Sequence, residues 1–138
     1  MLAAPMDVIR PLQRPGTRHA PAEWFTGDVW IDAISTGPHV RLLTVHFAPG
    51  ARTAWHAHPF GQTIHVTEGA GLAQGQGGPV EPIRAGDTVF FEPNEVHWHG
   101  AGPSTFMTHL AMQEVADDGS DAVWGELVTD AEYSSAGQ

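Results

Sequence analysis

Apolar and polar positions along this chain alternate in short runs, broken by glycine, proline or asparagine, which is the pattern of strands joined by tight turns. Asp28 to Ile34 and Val40 to Ala48 read as strands separated by a Ser35-Thr36-Gly37-Pro38 turn. Pro49-Gly50 closes the second, and Ala54 to His58 with Gln62 to Thr67 are expected to pair around a Pro59-Phe60-Gly61 bend. Within the glycine-rich stretch Gly69 to Gly78, Leu72 and Ala73 keep strand-like positions. Val80 to Ile83, Thr88 to Phe91, Val96 to His99 and Ser104 to Val115 complete the series. Only Asp121 to Tyr133 shows a helical period, which puts Trp124, Leu127 and Val128 on one side of a short amphipathic helix. Met1 to Pro21, with several prolines and Arg10, Arg14 and Arg18, reads as an arm with at most one short edge strand, a disordered tail being the alternative. The expected plan is an N-terminal arm, residues 1–22, and one all-β domain, residues 23–138, built as a sandwich or a barrel.

Composition narrows the chemistry. At 138 residues the chain buries a core without staples. It has no cysteine, so disulfides, thiolate metal sites and cysteine nucleophiles are excluded, and any metal must take His, carboxylate or amide donors. The formal charge of −10 argues against nucleic acid or an anionic membrane surface as partner. Charged residues are only 16%, against 16 Gly and 11 Pro, which again suits strands and turns. Met1 to Met6 lacks the basic start and apolar core of a secretory signal, so a cytoplasmic location is expected.

The chemistry-bearing stretch is Gly50 to Gly69, GARTAWHAHPFGQTIHVTEG. In an extended strand side chains alternate, so His56 and His58 project from one face. The bend after them lets Gln62 open a returning strand and meet both imidazoles, a partial metal site. The same alternation also fits two histidines on a solvated face. A second histidine pair, His97 and His99, follows a turn at Glu92-Pro93-Asn94-Glu95. By parity His99 shares the inward face with His97, and His109 and Gln113 share a face with Thr105 and Met107. His46 and His65 fall off the inward parity, and with His19 and His39 they read as surface or structural.

These two stretches resemble the paired motifs of the cupin superfamily. The first, G-x5-H-x-H-x3-E-x6-G, is met by Gly50, His56, His58 and Gly69, with Gln62 in place of the glutamate. The second, G-x5-P-x-G-x2-H-x3-N, is met by Gly86 and His97, with Glu92, Asn94 and Ala101 at its proline, glycine and asparagine. The resemblance implies a cupin jelly-roll, a double-stranded β-helix barrel, with ligands pointing into its mouth. Trp24-Phe25-Thr26-Gly27, the run Gly50 to His56, Gly61-Gln62-Thr63, His97-Trp98-His99-Gly100, Met107-Thr108-His109-Leu110 and Val128-Thr129-Asp130 with Tyr133 resemble, more narrowly, the bacterial manganese-dependent cupin hydroxynitrile lyases. That likeness implies His56, His58, Gln62 and His97 as metal ligands, Mn2+ as the metal, and His99 and His109 close to it. It further implies a small-molecule cyanohydrin or aldehyde substrate and a homodimer or homotetramer.

Three imidazoles and a carboxamide are neutral donors, so a divalent ion would keep its full charge and polarise a bound oxygen strongly. On ligand type alone Fe2+, Ni2+, Co2+ and Zn2+ remain open beside Mn2+. The expected reaction is reversible cleavage of an α-hydroxynitrile such as mandelonitrile. His99 or His109 takes the hydroxyl proton, and cyanide leaves an aldehyde behind. Leu43, Val45, Phe60 and Met107, with Gln113, are the expected pocket wall. Two other classes compete: a metal-dependent oxygenase, which the uncharged Gln62 disfavours, and a small-ligand-binding module without catalysis.

Overall fold

The computed structural model describes residues 6–135. A 3₁₀ turn at Pro11–Gln13 is followed by β1 (Arg18–His19), β2 (Phe25–Thr26), β3 (Val29–Thr36), β4 (Val40–Phe47), β5 (Arg52–Thr53) and β6 (His56–Ala57). The chain continues as β7 (Gln62–Gly75), β8 (Val80–Arg84), β9 (Thr88–Phe91), β10 (His97–Ala101), β11 (Met107–Glu114) and β12 (Val123–Trp124), and ends in α1 (Asp130–Ser135). All pairings are antiparallel, in the order β1-β3-β4-β11-β7-β10-β5-β2, and the sheet curls into a half-barrel. The jelly-roll expectation and the short C-terminal helix are both met. No helix among the described residues is long and apolar enough to cross a membrane.

The organising element is β7. Its first half pairs with β11 on one side and with β9 on the other, and its second half with β8 and β10. It therefore passes from one wall of the barrel to the other. The passage turns at Gly69, whose φ of +78° is a left-handed value that side chains resist, opposite a register shift between Thr108 and His109. Alternation along the strands then sorts the side chains. Val29 and Ile31 of β3, Val45 and Phe47 of β4, Ile64 and Val66 of β7, and Met107 and Ala111 of β11 turn inward as the main core.

Two sequence expectations need correction. Ala54 to His58 does not pair with the strand that opens at Gln62. Instead β6 pairs with β10 and β12, His97 lying opposite His56, because the bend at residues 59–61 sends β7 to the opposite wall. β7 runs through its glycines to Gly75, keeping Leu72 and Ala73 in the strand as expected, and Gly71 lies against the Gly100 carbonyl of β10. Asp121 to Tyr133 is not one helix. Its first part is extended, with β12 bonded to β6, and only Asp130–Ser135 is helical. The three residues read as one helical face go to different places. Trp124 stacks on Trp24, Val128 is buried beside Trp98 and Tyr133 on the outer face, and Leu127 is exposed. The Tyr133 hydroxyl donates to the Ala101 carbonyl at 2.6 Å, and Arg52 donates to the Val128 carbonyl and the Asp130 carboxylate, straps that compete successfully with helix formation.

Close approach makes a testable demand. A Cβ on Gly71 would fall 2.1 Å from the Gly100 carbonyl oxygen, whereas one on Gly16 meets nothing within 4 Å. Gly71→Ala should therefore destabilise the protein by at least ~3 kcal/mol, the upper part of the range for overpacked sites, while Gly16→Ala stays within ~1 kcal/mol. Equal melting temperatures for the two variants would contradict the close strand approach.

Candidate metal centre

Four elements deliver histidines and an amide to one spot inside the barrel. His56 and His58 come from β6 and the residue after it, His97 and His99 from β10, His109 from β11, and Gln62 from the first position of β7. All six are buried. The ligand nitrogens of His56, His97 and His99 lie within 4.8 Å of one another. The His58 ring stands 5.0 Å from that of His56 and 5.5 Å from that of His97, centroid to centroid. Gln62 Oε1 lies 3.2 Å from His97 Nε2.

The tautomers follow from the partners. A carbonyl oxygen can only accept, so each ring nitrogen facing one must carry the proton. His56 Nδ1 donates to the Ala54 carbonyl at 2.8 Å, His58 Nδ1 to that of Asp121 at 2.6 Å, and His97 Nδ1 to that of Glu95 at 2.9 Å. Each ε-nitrogen is thereby left as a lone pair, the arrangement that backbone acceptors impose on metal-ligating histidines. Gln62 Nε2 donates to Gln113 Oε1 at 3.1 Å, which directs its Oε1 toward His97. Two acceptors thus face each other at 3.2 Å without a proton between them. In a dry interior that contact is repulsive, and a cation shared by both lone pairs removes the repulsion.

Orphaned atoms point the same way. Among the described residues, His58 Nε2, His99 Nε2 and His109 Nδ1 are buried without a hydrogen-bond partner, together with Arg52 Nε. Each unsatisfied buried group costs about 1–3 kcal/mol, and three such costs concentrated in one cluster mark a site completed by a ligand. Residues and geometry together fit a divalent ion with borderline, neutral donors. Which imidazoles join it is where distance and sequence pattern differ. Distance brings in His99, which the sequence pattern placed as a base, whereas tautomer locking favours His58.

Burial also keeps the rings uncharged. Desolvation is the main cause at every histidine of the cluster. It lowers His97 to about 3 and His109 to about 4, pushes His56 and His99 well below the ordinary histidine value, and lowers His58. Neighbouring imidazoles push further in the same direction at His56, His97 and His99. Phe91 stacks on His97 at 3.6 Å and Trp124 on His56 at 4.6 Å, supplying the apolar cover. Beyond the cluster, His109 Nε2 and His99 Nδ1 share one hydrogen bond at 3.0 Å.

The cluster opens on a cavity of about 570 Å³. Leu43, Val45 and Gln113 line it as expected from the sequence, but Phe60 and Met107 do not. The Pro59-Phe60-Gly61 bend turns Phe60 outward, where it is half exposed beside Phe90 and Met112. Met107 has the inward parity but is wholly buried in the core cluster and does not reach the cavity. Sequence reasoning missed Ile31, Ala33, Arg41, Asp121 and the indoles Trp24 and Trp124 in the wall. Strand parity would have found the first three, since Ile31 and Ala33 lie opposite Val45 and Leu43, and Arg41 is in step with them. His46 and His65 lie off the site, bonded to Asp32 and Thr88 respectively.

Comparison with known proteins agrees with this fold. A cupin-domain family model matches residues 43–109. The chain is 56% identical over 116 residues to an (R)-mandelonitrile lyase of Granulicella tundricola, covering 82% of this chain and 88% of that one. A cupin-like protein of Thermotoga maritima superposes with a TM-score of 0.80 at 38% identity, covering 86% of this chain and 91% of the other. A polyketide cyclase of Streptomyces resistomycificus shares the fold alone, with a TM-score of 0.70 at 15% identity over 96% of this chain and 94% of that one.

Depressed histidine pKa values make the metal-free protein acid-sensitive. Between about 6.5 and the folded values of about 3 to 4, the unfolded chain binds protons that the folded one does not. Stability contributed by the neutral rings is complete above that window and is lost as pH falls through it. Urea midpoints of metal-free protein should therefore drop steeply between about pH 7.5 and about pH 5, and a flat profile would contradict burial of the cluster in neutral form.

Proposed function

The chain belongs to the cupin family, and from that premise we propose that it is a metal-dependent hydroxynitrile lyase acting on mandelonitrile-like substrates. The observation that carries the metal part is the facing pair of lone pairs on His97 and Gln62. The name of the 56% identical relative and the apolar cavity support the substrate class. His56, His58, Gln62 and His97 would hold the ion, with Mn2+ the proposed metal, and a bound divalent ion supplies Lewis-acid polarisation of an oxygen.

The chain's own groups then do the rest. Leu43, Val45, Ile31 and the two indoles exclude water from an aromatic substrate. His109 and His99, both neutral and joined at 3.0 Å, form the acid–base pair. In the cleavage direction this pair takes the proton from the substrate hydroxyl. The oxygen's electrons become the carbonyl π bond, and the C–C bond breaks with its electron pair leaving on cyanide. The imidazolium returns the proton to cyanide, so aldehyde and HCN leave a neutral pair behind. His109 is the proposed base, with His99 as its hydrogen-bonded partner.

His109→Ala should lower mandelonitrile cleavage by about 10²–10⁴-fold, the usual span for a general base, with bound metal unchanged. His56→Ala and His97→Ala should lose metal and activity together. Full activity in both His109→Ala and His99→Ala would rule out the acid–base pair. Dioxygen uptake with a phenol or styrene, in place of cyanide release, would favour an oxygenase.

A further inference from the structure

One residue in the cavity wall has no part in the chemistry just described, yet two candidate ligands depend on it, His58 through its backbone and Gln62 through its side chain. Asp121 lies in the extended segment before β12. Its backbone carbonyl accepts the 2.6 Å bond from His58 Nδ1. Its carboxylate accepts from Gln113 Nε2 at 3.0 Å through Oδ2 and pairs with Arg41 at 3.2 Å through Oδ1. Gln113 Oε1 in turn accepts from Gln62 Nε2 at 3.1 Å. Arg41, Asp121, Gln113 and Gln62 thus form one line along the cavity wall, ending at the histidine cluster.

The line has a direction. An amide presents oxygen at one end and NH2 at the other, so a glutamine side chain can be turned over with little change of shape. A carboxylate only accepts, so Asp121 forces Gln113 to show it the NH2 group. Gln113 must then show its oxygen to Gln62, and Gln62 must show its own oxygen to the cluster. Arg41 donates to the far oxygen of the carboxylate and holds it in place. We propose that Asp121 is a positioning residue that sets the polarity of this two-amide relay and so aims Gln62 Oε1, rather than its NH2, at the metal. A glutamate at position 62 needs no such device, since both of its ends are oxygen. The departure of Gln62 from the general cupin motif thereby acquires a structural partner. The proposal rests on the reading that Gln62 ligates the metal.

Asp121→Asn tests it with almost no change in shape. Arg41 demands an acceptor, so the introduced asparagine shows it the amide oxygen and offers NH2 to Gln113. Both glutamines then turn over, and Gln62 meets the ion with NH2. Mn2+ affinity, measured by competition against a chelator on folded protein, should fall about tenfold or more in Asp121→Asn, in the range for lost outer-shell partners. Adding Arg41→Ala to Asp121→Asn frees the asparagine to turn its oxygen back to Gln113 and should recover much of the loss. In a Gln62→Glu background the glutamate can only accept, so Asp121→Asn, which lets Gln113 turn its NH2 toward it, should not lower affinity. Unchanged affinity in Asp121→Asn, or an equal loss with glutamine and with glutamate at position 62, overturns the proposal. Gln62→Ala separates the premise from the inference. If it loses affinity while Asp121→Asn does not, only the relay is wrong; if it binds Mn2+ as tightly as the native protein, ligation by Gln62 and the relay both fall.

Discussion

Three backbone carbonyls, those of Ala54, Glu95 and Asp121, decide what the buried histidines can do. Because a carbonyl never donates, each forces the proton onto the δ-nitrogen of its histidine and leaves the ε-nitrogen as a bare lone pair. Side-chain acceptors could swing away, but these belong to segments locked into the barrel by their own ladders or loops. A charge-free, dehydrated set of lone pairs gathered in one buried cluster is costly unless something positive completes it. The backbone thus prepares the cluster to accept a cation, which supports the proposed metal reading beyond residue types alone.

The rest of the architecture serves that constraint. β7 crosses from wall to wall, bringing Gln62 to one side of the cluster while its far half seats β10 and its two histidines. The C-terminal segment pairs with β6 through β12, stacks Trp124 over His56 and brings Asp121 against His58. Its outer anchor is Tyr133, whose ring carries the Arg52 guanidinium at 4.4 Å and whose hydroxyl holds Ala101. Removal of water from the rings and fixing of their tautomers are consequences of the same packing.

The succession of strands along the chain and their inward parity are readable because period-two alternation is a local signal, and it places His97, His99, His109, Leu43 and Val45 on inward faces. The cupin motif spacing carried the fold. What stayed hidden was non-local. Met107 has the right parity but lies in the core cluster instead of the cavity wall, which depends on how the strands pack across the barrel. Phe60 depends on the direction of a bend. The segment from Asp121 looked helical because Trp124, Leu127 and Val128 fall at helical spacing, yet strand pairing with β6 and the straps around Tyr133 outweigh that weak local preference. Asp121 lies in that misread segment, so its place beside His58 and Gln113 became visible only in three dimensions.

Neutral donors leave a divalent ion with its full charge, which suits polarising an oxygen better than supporting an oxidised metal. Whether the lone pairs gather around one ion is tested most directly by an anomalous-difference map from crystals of the Mn2+-loaded protein. One buried peak is expected, bonded by the ε-nitrogens of His56, His58 and His97 and by Gln62 Oε1. A peak elsewhere, or a buried ion that His58 and Gln62 leave unligated, would contradict the carbonyl-locked metal centre.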